Sequence, residues 1–184
     1  MFERILNKIN SLYLEKNFFS CGRKFYAHYP SKIINPKNII IGDNVYFDDN
    51  VWLNCPDDKN LKNYKDNQFS LSIGSNSYIG RNCHISAYCN VKIGKKTLFA
   101  QNVHISDVTH GYKKKNYPKI DEDIEYLGPV NIGEGCWFGI NSVILPNVKI
   151  GNYAVIGANS LVNQDVPDNA VVAGSPAKIL KYIF

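Results

Sequence analysis

Four histidines, His28, His84, His104 and His110, are the groups in this chain best suited to move a proton near neutral pH. Asp107 stands three residues before His110. At that spacing a carboxylate could orient the imidazole of a general base, or could hydrogen-bond its own backbone at the start of a loop. His84 and His104 hold equivalent positions, each just before an isoleucine, Ile85 and Ile105. Three histidines can hold zinc, and His84, His104 and His110 are the nominees. The five cysteines, Cys21, Cys55, Cys83, Cys89 and Cys136, form no CxxC pair and are odd in number. They argue against a thiolate metal site and a full disulfide framework, and for a reduced, cytoplasmic compartment. No metal is expected.

The elements that must carry these groups are legible from composition. The 184 residues include 23 Asn and 21 Ile but 8 Ala and 1 Met, which excludes a mainly helical protein. The net charge of +5 is mild and reads as spread along the chain apart from Lys113, Lys114 and Lys115. Nucleic-acid binding would need a basic stripe, so none is expected. No apolar run approaches the ~18 residues of a membrane span, and no signal-peptide pattern opens the chain.

A period of six runs through most of the sequence. Ile41, Phe47 and Leu53 begin it; Ile73, Ile79, Ile85, Ile93, Phe99 and Ile105 continue it; Ile132, Phe138, Ile144, Ile150, Ile156 and Val162 complete it. Glycine follows eight of these fifteen anchors, and the residue four places on is small or β-branched in all but one case, Asp57. Six matches neither a helix nor a simple alternating strand. It fits a short strand plus a corner, three of which close an 18-residue triangular coil whose copies stack as parallel strands. Cys83, Cys89 and Cys136 fall on inward filler positions and read as core.

The expected organisation is an N-terminal helical cap and lead-in over 1–32, a β-helix of about five coils over 33–166 with insertions at 54–70 and 107–130, and a tail over 167–184. In the cap, Phe2, Ile5, Leu6, Ile9, Leu12 and Tyr13 follow helical spacing over 2–18. That face is expected to pack on the open end of the solenoid, with peripheral membrane contact through Arg4, Lys8 and Lys16 as the alternative. Residues 176–183 are expected to form a short helix with Ile179, Leu180 and Ile183 inward.

The ordered set "ISDVTHG" (105–111), "GPVNIGEGCWFGINSVILPNVKIG" (128–151) and "VIGANSLVNQDVPDNAVVAGSPAKI" (155–179) resembles the hexapeptide-repeat acyltransferases. It is most similar to their sugar and polysaccharide O-acetyltransferase branch, related to maltose and galactoside acetyltransferases. The resemblance implies an all-β, left-handed parallel β-helix, a homotrimer with active sites between subunits, and acetyl coenzyme A as donor. It implies His110 as general base, with Asp107 as the residue that orients it. It implies donor contacts at Trp137, Gly139, Ile140 through its backbone, Ala158, Lys178 and Lys181. Asn163-Gln164 stands where the family often has Thr-Lys. Ser86 corresponds to an acceptor-contacting position, while His84, His104 and Tyr112 are candidate acceptor residues for a sugar or polysaccharide precursor. The alternatives are N-acetylation of an amino sugar, a γ-type carbonic anhydrase, and a non-catalytic scaffold.

Overall fold

A computed structural model describes residues 2–57, 61 and 69–184, so most of the insertion expected at 54–70 lies outside the described residues. The period-six segments form three flat parallel sheets that make the sides of a triangular prism. One side carries Ile39–Ile41, Leu71–Ile73, Val91–Ile93, Val130–Ile132 and Lys149–Ile150. The second carries Tyr46–Phe47, Tyr78–Ile79, Leu98–Phe99, Trp137–Phe138 and Val155–Ile156. The third carries Trp52–Asn54, His84–Ser86, His104–Ser106, Val143–Ile144 and Leu161–Val162.

All fifteen anchors are buried, at 5% exposure or less. Burial of one such side chain contributes roughly 1.5–3 kcal/mol. Each anchor sits over its equivalent in the next coil; Phe99 and Phe138, for example, stack with ring centroids 4.5 Å apart. The filler positions are buried too, except Asp57, which is exposed, and Thr109, where the chain has left the coil. The corners explain the asparagines. Among the described residues, eleven of the fourteen non-glycine residues with positive φ are Asn, the side chain that best tolerates this conformation. At one corner they also bond along the stack, Asn102 to Asn141 and Asn141 to Asn159, each at 3.0 Å.

Three expectations are corrected. The prism has six coils rather than five, because Ser20–Cys21, Tyr26–Ala27 and Lys32–Ile34 pair in register below the second coil. The segment taken as lead-in is therefore a coil. Its size pattern is inverted on two sides: Cys21 and Ala27 occupy anchor places, and bulky Phe25 sits where a small filler is usual, packed edge-on to Phe47, while Ile33 keeps the large third anchor.

The N-terminal helix α1 (Phe2–Asn17) does cap this coil, but through its polar stripe. Ser11 Oγ accepts the Ala27 N–H at 2.9 Å and Asn7 Oδ1 accepts the Tyr29 N–H at 2.8 Å. Asn10 Nδ2 donates to the His28 carbonyl at 2.9 Å. The first coil has no coil below it, so its strand edge needs polar partners more than it needs apolar cover. Of the apolar helix positions, Leu14 is buried there; Phe2, Ile5, Ile9, Leu12 and Tyr13 face outward.

The expected C-terminal helix is a strand. Ala177–Tyr182 pairs antiparallel with Ala170–Gly174, closing the free edge of the second side. The edge supplies ladder partners that outweigh the weak helix propensity of so short a segment. The turn between them uses Gly174 at φ +106°.

Candidate functional site

The site grows from the third side of the prism. Lys32, Trp52, His84, His104 and Val143 occupy one register position on successive coils and point outward. Their side chains form a column. The Trp52 and His84 rings stack at 4.1 Å and 11°, His104 lies 4.9 Å beyond His84, and Lys32 Nζ is 4.4 Å from the Trp52 ring centre. Burial pushes the His84 pKa down to about 4, with the neighbouring His104 and Lys32 adding to it. Burial likewise lowers that of His104. Both rings are therefore neutral at pH 7. A hydrogen bond of 3.1 Å joins His84 Nε2 and Ser86 Oγ.

At the end of this side, insertion 107–130 leaves the prism as an antiparallel pair, Val108–His110 with Ile124–Tyr126. Ser106 Oγ donates to the Val108 carbonyl at 2.8 Å and fixes the exit. Tyr126 of the arm packs on Leu61 and Cys89. Opposite Ile124, His110 projects from the arm's last paired residue and is exposed. Gly111 then turns under Asp123, accepting no side chain, since an added Cβ would stand 2.9 Å from the Glu122 Cβ.

Arm and column enclose a cleft of about 600 Å³. It brings together His84, Ser86, His104, His110 and Tyr112 among the expected residues. It also includes Asn54, Tyr88, Leu127 and Leu145, which sequence reasoning missed. The signal for Asn54 was present: it follows the anchor Leu53 as Ser86 follows Ile85, and Trp52 precedes that anchor as His84 does.

Asp107 does not meet His110. Its carboxylate is fully buried and accepts three backbone N–H groups, from Tyr88 (2.9 Å), Cys89 (2.8 Å) and Asn90 (2.7 Å). Burial raises its pKa, and these three bonds oppose the rise. The carboxylate ties the exit of the arm to the corner of the coil below, and its expected orienting role is replaced by this one.

The expected donor residues lie along a different edge, where the second side turns into the third. Gly139 is buried against the next coil so closely that a Cβ would lie 2.5 Å from the Ala158 nitrogen. Ile140 and Ala158 are exposed beside it. Trp137, Val155, Val171 and Lys181 form one outward column on the second side. Lys178 lines a separate small cleft with Gln164 and Asp165. None of Trp137, Gly139, Ile140, Ala158, Lys178 and Lys181 lines the cleft that holds His110.

Among the described residues, the group of His, Cys, Asp or Glu whose ligand atoms converge is His28, Asp48 and Asp49, not His84, His104 and His110. Those three are already engaged: His28 with Asp49, Asp48 with Tyr78, and Asp49 with Arg81. They form a hydrogen-bonded brace across the first three coils.

Comparison with known proteins agrees with this architecture. Residues 129–164 match the family model "Bacterial transferase hexapeptide (six repeats)". The galactoside O-acetyltransferase of Escherichia coli strain K12 is 31% identical over 167 residues, covering 87% of this chain and 74% of that one. The putative lipopolysaccharide biosynthesis O-acetyl transferase WbbJ of the same strain is 41% identical over 119 residues, covering 61% of this chain. The chain spans 59% of the length of WbbJ and 63% of a putative acetyltransferase of Staphylococcus aureus. Among solved structures, AntD of Bacillus cereus, an N-acyltransferase in complex with dTDP and 3-hydroxybutyryl-CoA, superposes with a TM-score of 0.78 at 21% identity, over 95% of this chain and 88% of that chain. The acetyltransferase VCA0836 of Vibrio cholerae, complexed with acetyl coenzyme A, superposes with a TM-score of 0.68 at 23% identity, over 99% and 81%. The prism is thus a left-handed parallel β-helix, and the chain belongs to the hexapeptide-repeat transferase family.

Proposed function

We propose that the protein transfers an acetyl group from acetyl coenzyme A to a sugar hydroxyl, in the cytoplasmic assembly of a surface polysaccharide, as a homotrimer. The observation that carries this reading is the exposed His110 ring at the mouth of a cleft lined by neutral His84 and His104, Ser86 and Tyr112. A neutral, partly apolar cleft with a few hydrogen-bonding groups suits a sugar, whose faces are apolar and whose rim is hydroxylated.

In this mechanism His110 takes the hydroxyl proton as the oxygen attacks the thioester carbonyl. The resulting oxyanion is held by a backbone N–H, that of Ile140 being the candidate. Collapse expels the coenzyme A thiolate, which takes the proton back from the imidazolium. The pantetheine arm lies along the edge formed by Gly139, Ile140 and Ala158, where Gly139 keeps the corner flat. Trp137 flanks that edge, and Lys178 and Lys181 supply positive charge for the nucleotide phosphates. The free thiols of Cys21, Cys55, Cys83 and Cys136, the last three buried, support a reducing compartment.

The test is release of coenzyme A thiol from acetyl coenzyme A by the purified chain, against matched panels of hydroxyl and amino sugars. Turnover with hydroxyl sugars that is lost in His110→Ala is expected. Turnover confined to amino sugars would replace O-transfer by N-transfer.

A further inference from the structure

The outer face of α1 is apolar, basic and uncovered. Because the helix spends its polar stripe on the strand edge of the first coil, Phe2 (75% exposed), Ile9 (58%) and Tyr13 (63%) stand in solvent together with Ile5 and Leu12. Arg4 and Lys8 line a furrow with Ile5, Ile9 and Leu12. Lys16 lies one helical repeat beyond Ile9 and Leu12, on the same outward face. Among the described residues the main packing of the helix is on the first coil and the turn Pro36–Asn38, so this face looks away from the solenoid along its stacking direction.

Charge follows the same axis. Residues 1–38 hold seven Lys or Arg (Arg4, Lys8, Lys16, Arg23, Lys24, Lys32, Lys37) and two Glu, a net +5. Residues 39–184 hold fourteen basic and fourteen acidic residues. The whole net charge of the chain thus resides in the capping helix and the coil beneath it. What reads as a diffuse surplus along the sequence is a polarised molecule.

We propose that this face docks on an anionic membrane surface, with the apolar ridge of α1 in the interfacial layer and the basic residues of α1 and the first coil against the headgroups. A second copy of the chain is the poorer occupant, because face-to-face pairing would bring two +5 ends together. The trimer of the functional reading would set three such faces side by side at one end of the assembly and multiply the attachment. The docking itself does not depend on that reading. The fit is to a soluble enzyme that works on an acceptor held at a lipid surface.

The experiment is co-sedimentation of the full chain with vesicles of phosphatidylglycerol and phosphatidylethanolamine, or of phosphatidylcholine alone. At about 0.1 M salt, binding to the anionic vesicles should exceed that to phosphatidylcholine by about tenfold or more, and should fall several-fold as salt rises. The double variant Ile5→Glu, Ile9→Glu alters two exposed residues, so its thermal unfolding should match the wild type. It should lose vesicle binding while retaining turnover of acetyl coenzyme A with a soluble acceptor. Absence of binding to anionic vesicles, or undiminished binding by the variant, overturns the proposal. So does a change in the mass of the assembly in the variant, which would mean that another copy covers the face. Loss of turnover in the wild type with vesicle binding intact would instead count against the catalytic reading alone.

Discussion

The three N–H groups that converge on Asp107 make it a structural residue with a measurable signature. In Asp107→Asn the amide nitrogen faces at least one of the donors from Tyr88, Cys89 and Asn90, and the charge that all three share is gone. A loss of about 2–4 kcal/mol in unfolding free energy is expected from denaturant titration. His110 should behave in the opposite way. Its ring is exposed, so His110→Ala should change stability by no more than about 0.5 kcal/mol. It should lower kcat by about 10²- to 10⁴-fold if it is the general base. A stable Asp107→Asn with kcat as low as that of His110→Ala would return Asp107 to the catalytic machinery. His84 allows a pH test. Its folded pKa is depressed from 6.5 to about 4, so the unfolded chain binds the proton first. Neutral His84 therefore contributes stability above about pH 6.5 that is lost as pH falls toward about 4. Asp107, with a raised folded pKa, acts with the opposite sign in the acid range. The comparison that isolates His84 is the wild type against His84→Asn: between pH 7 and pH 5 the wild type should lose more thermal stability than the variant. Parallel losses would mean that the ring titrates normally.

At the scale of elements, the coils were legible because each six-residue side buries one anchor, and burial imprints itself on every repeat. The corners were legible as turn chemistry, and positive φ at Asn44, Asn76, Asn102, Asn141 and Asn159 gives the reason. The cleft was half legible: His110 and the paired His84 and His104 stood out by type, whereas Asn54 and Leu145 became site residues only through where the arm leans. The first coil escaped notice because two of its three anchors are Cys21 and Ala27, small residues made tolerable by Phe25 in the filler place. Helical periodicity located the apolar face of α1 without saying which face the fold required. A strand edge in need of hydrogen bonds took the polar one. The C-terminal segment carries no period of its own, and its strand state is imposed by the unpaired edge of Ala170–Gly174. Removing residues 175–184 should therefore do more than delete Lys178 and Lys181. It should bare that edge, lower the thermal midpoint and produce concentration-dependent association in light scattering. The double variant Lys178→Ala, Lys181→Ala should keep the edge covered and stay dispersed. A truncated chain as stable and dispersed as this variant would show that the terminal strand is not a cap.

For the whole molecule, the separation of the two halves of the site decides what the functional unit is. His110 leaves the prism after the third side, at the corner of Asp107, while Gly139, Ile140 and Ala158 stand at the corner before that side. No donor-side residue shares the His110 cleft. If the chemistry is acetyl transfer, a thioester on one edge must meet a base on the other, and cyclic packing of identical prisms achieves this by setting the arm of one copy against the donor edge of the next. Each site would then take its base and its donor groove from different chains. Mixing two dead variants tests this directly. His110→Ala keeps the donor edge and loses the base; Ala158→Trp fills the groove and keeps the base. In a randomly mixed assembly at equal amounts, about a quarter of the sites would pair an intact base with an intact groove, so about a quarter of wild-type turnover should return. Sites complete within one chain would stay dead at any mixing ratio, and such silence would end the shared-site reading while leaving the β-helix and its family untouched.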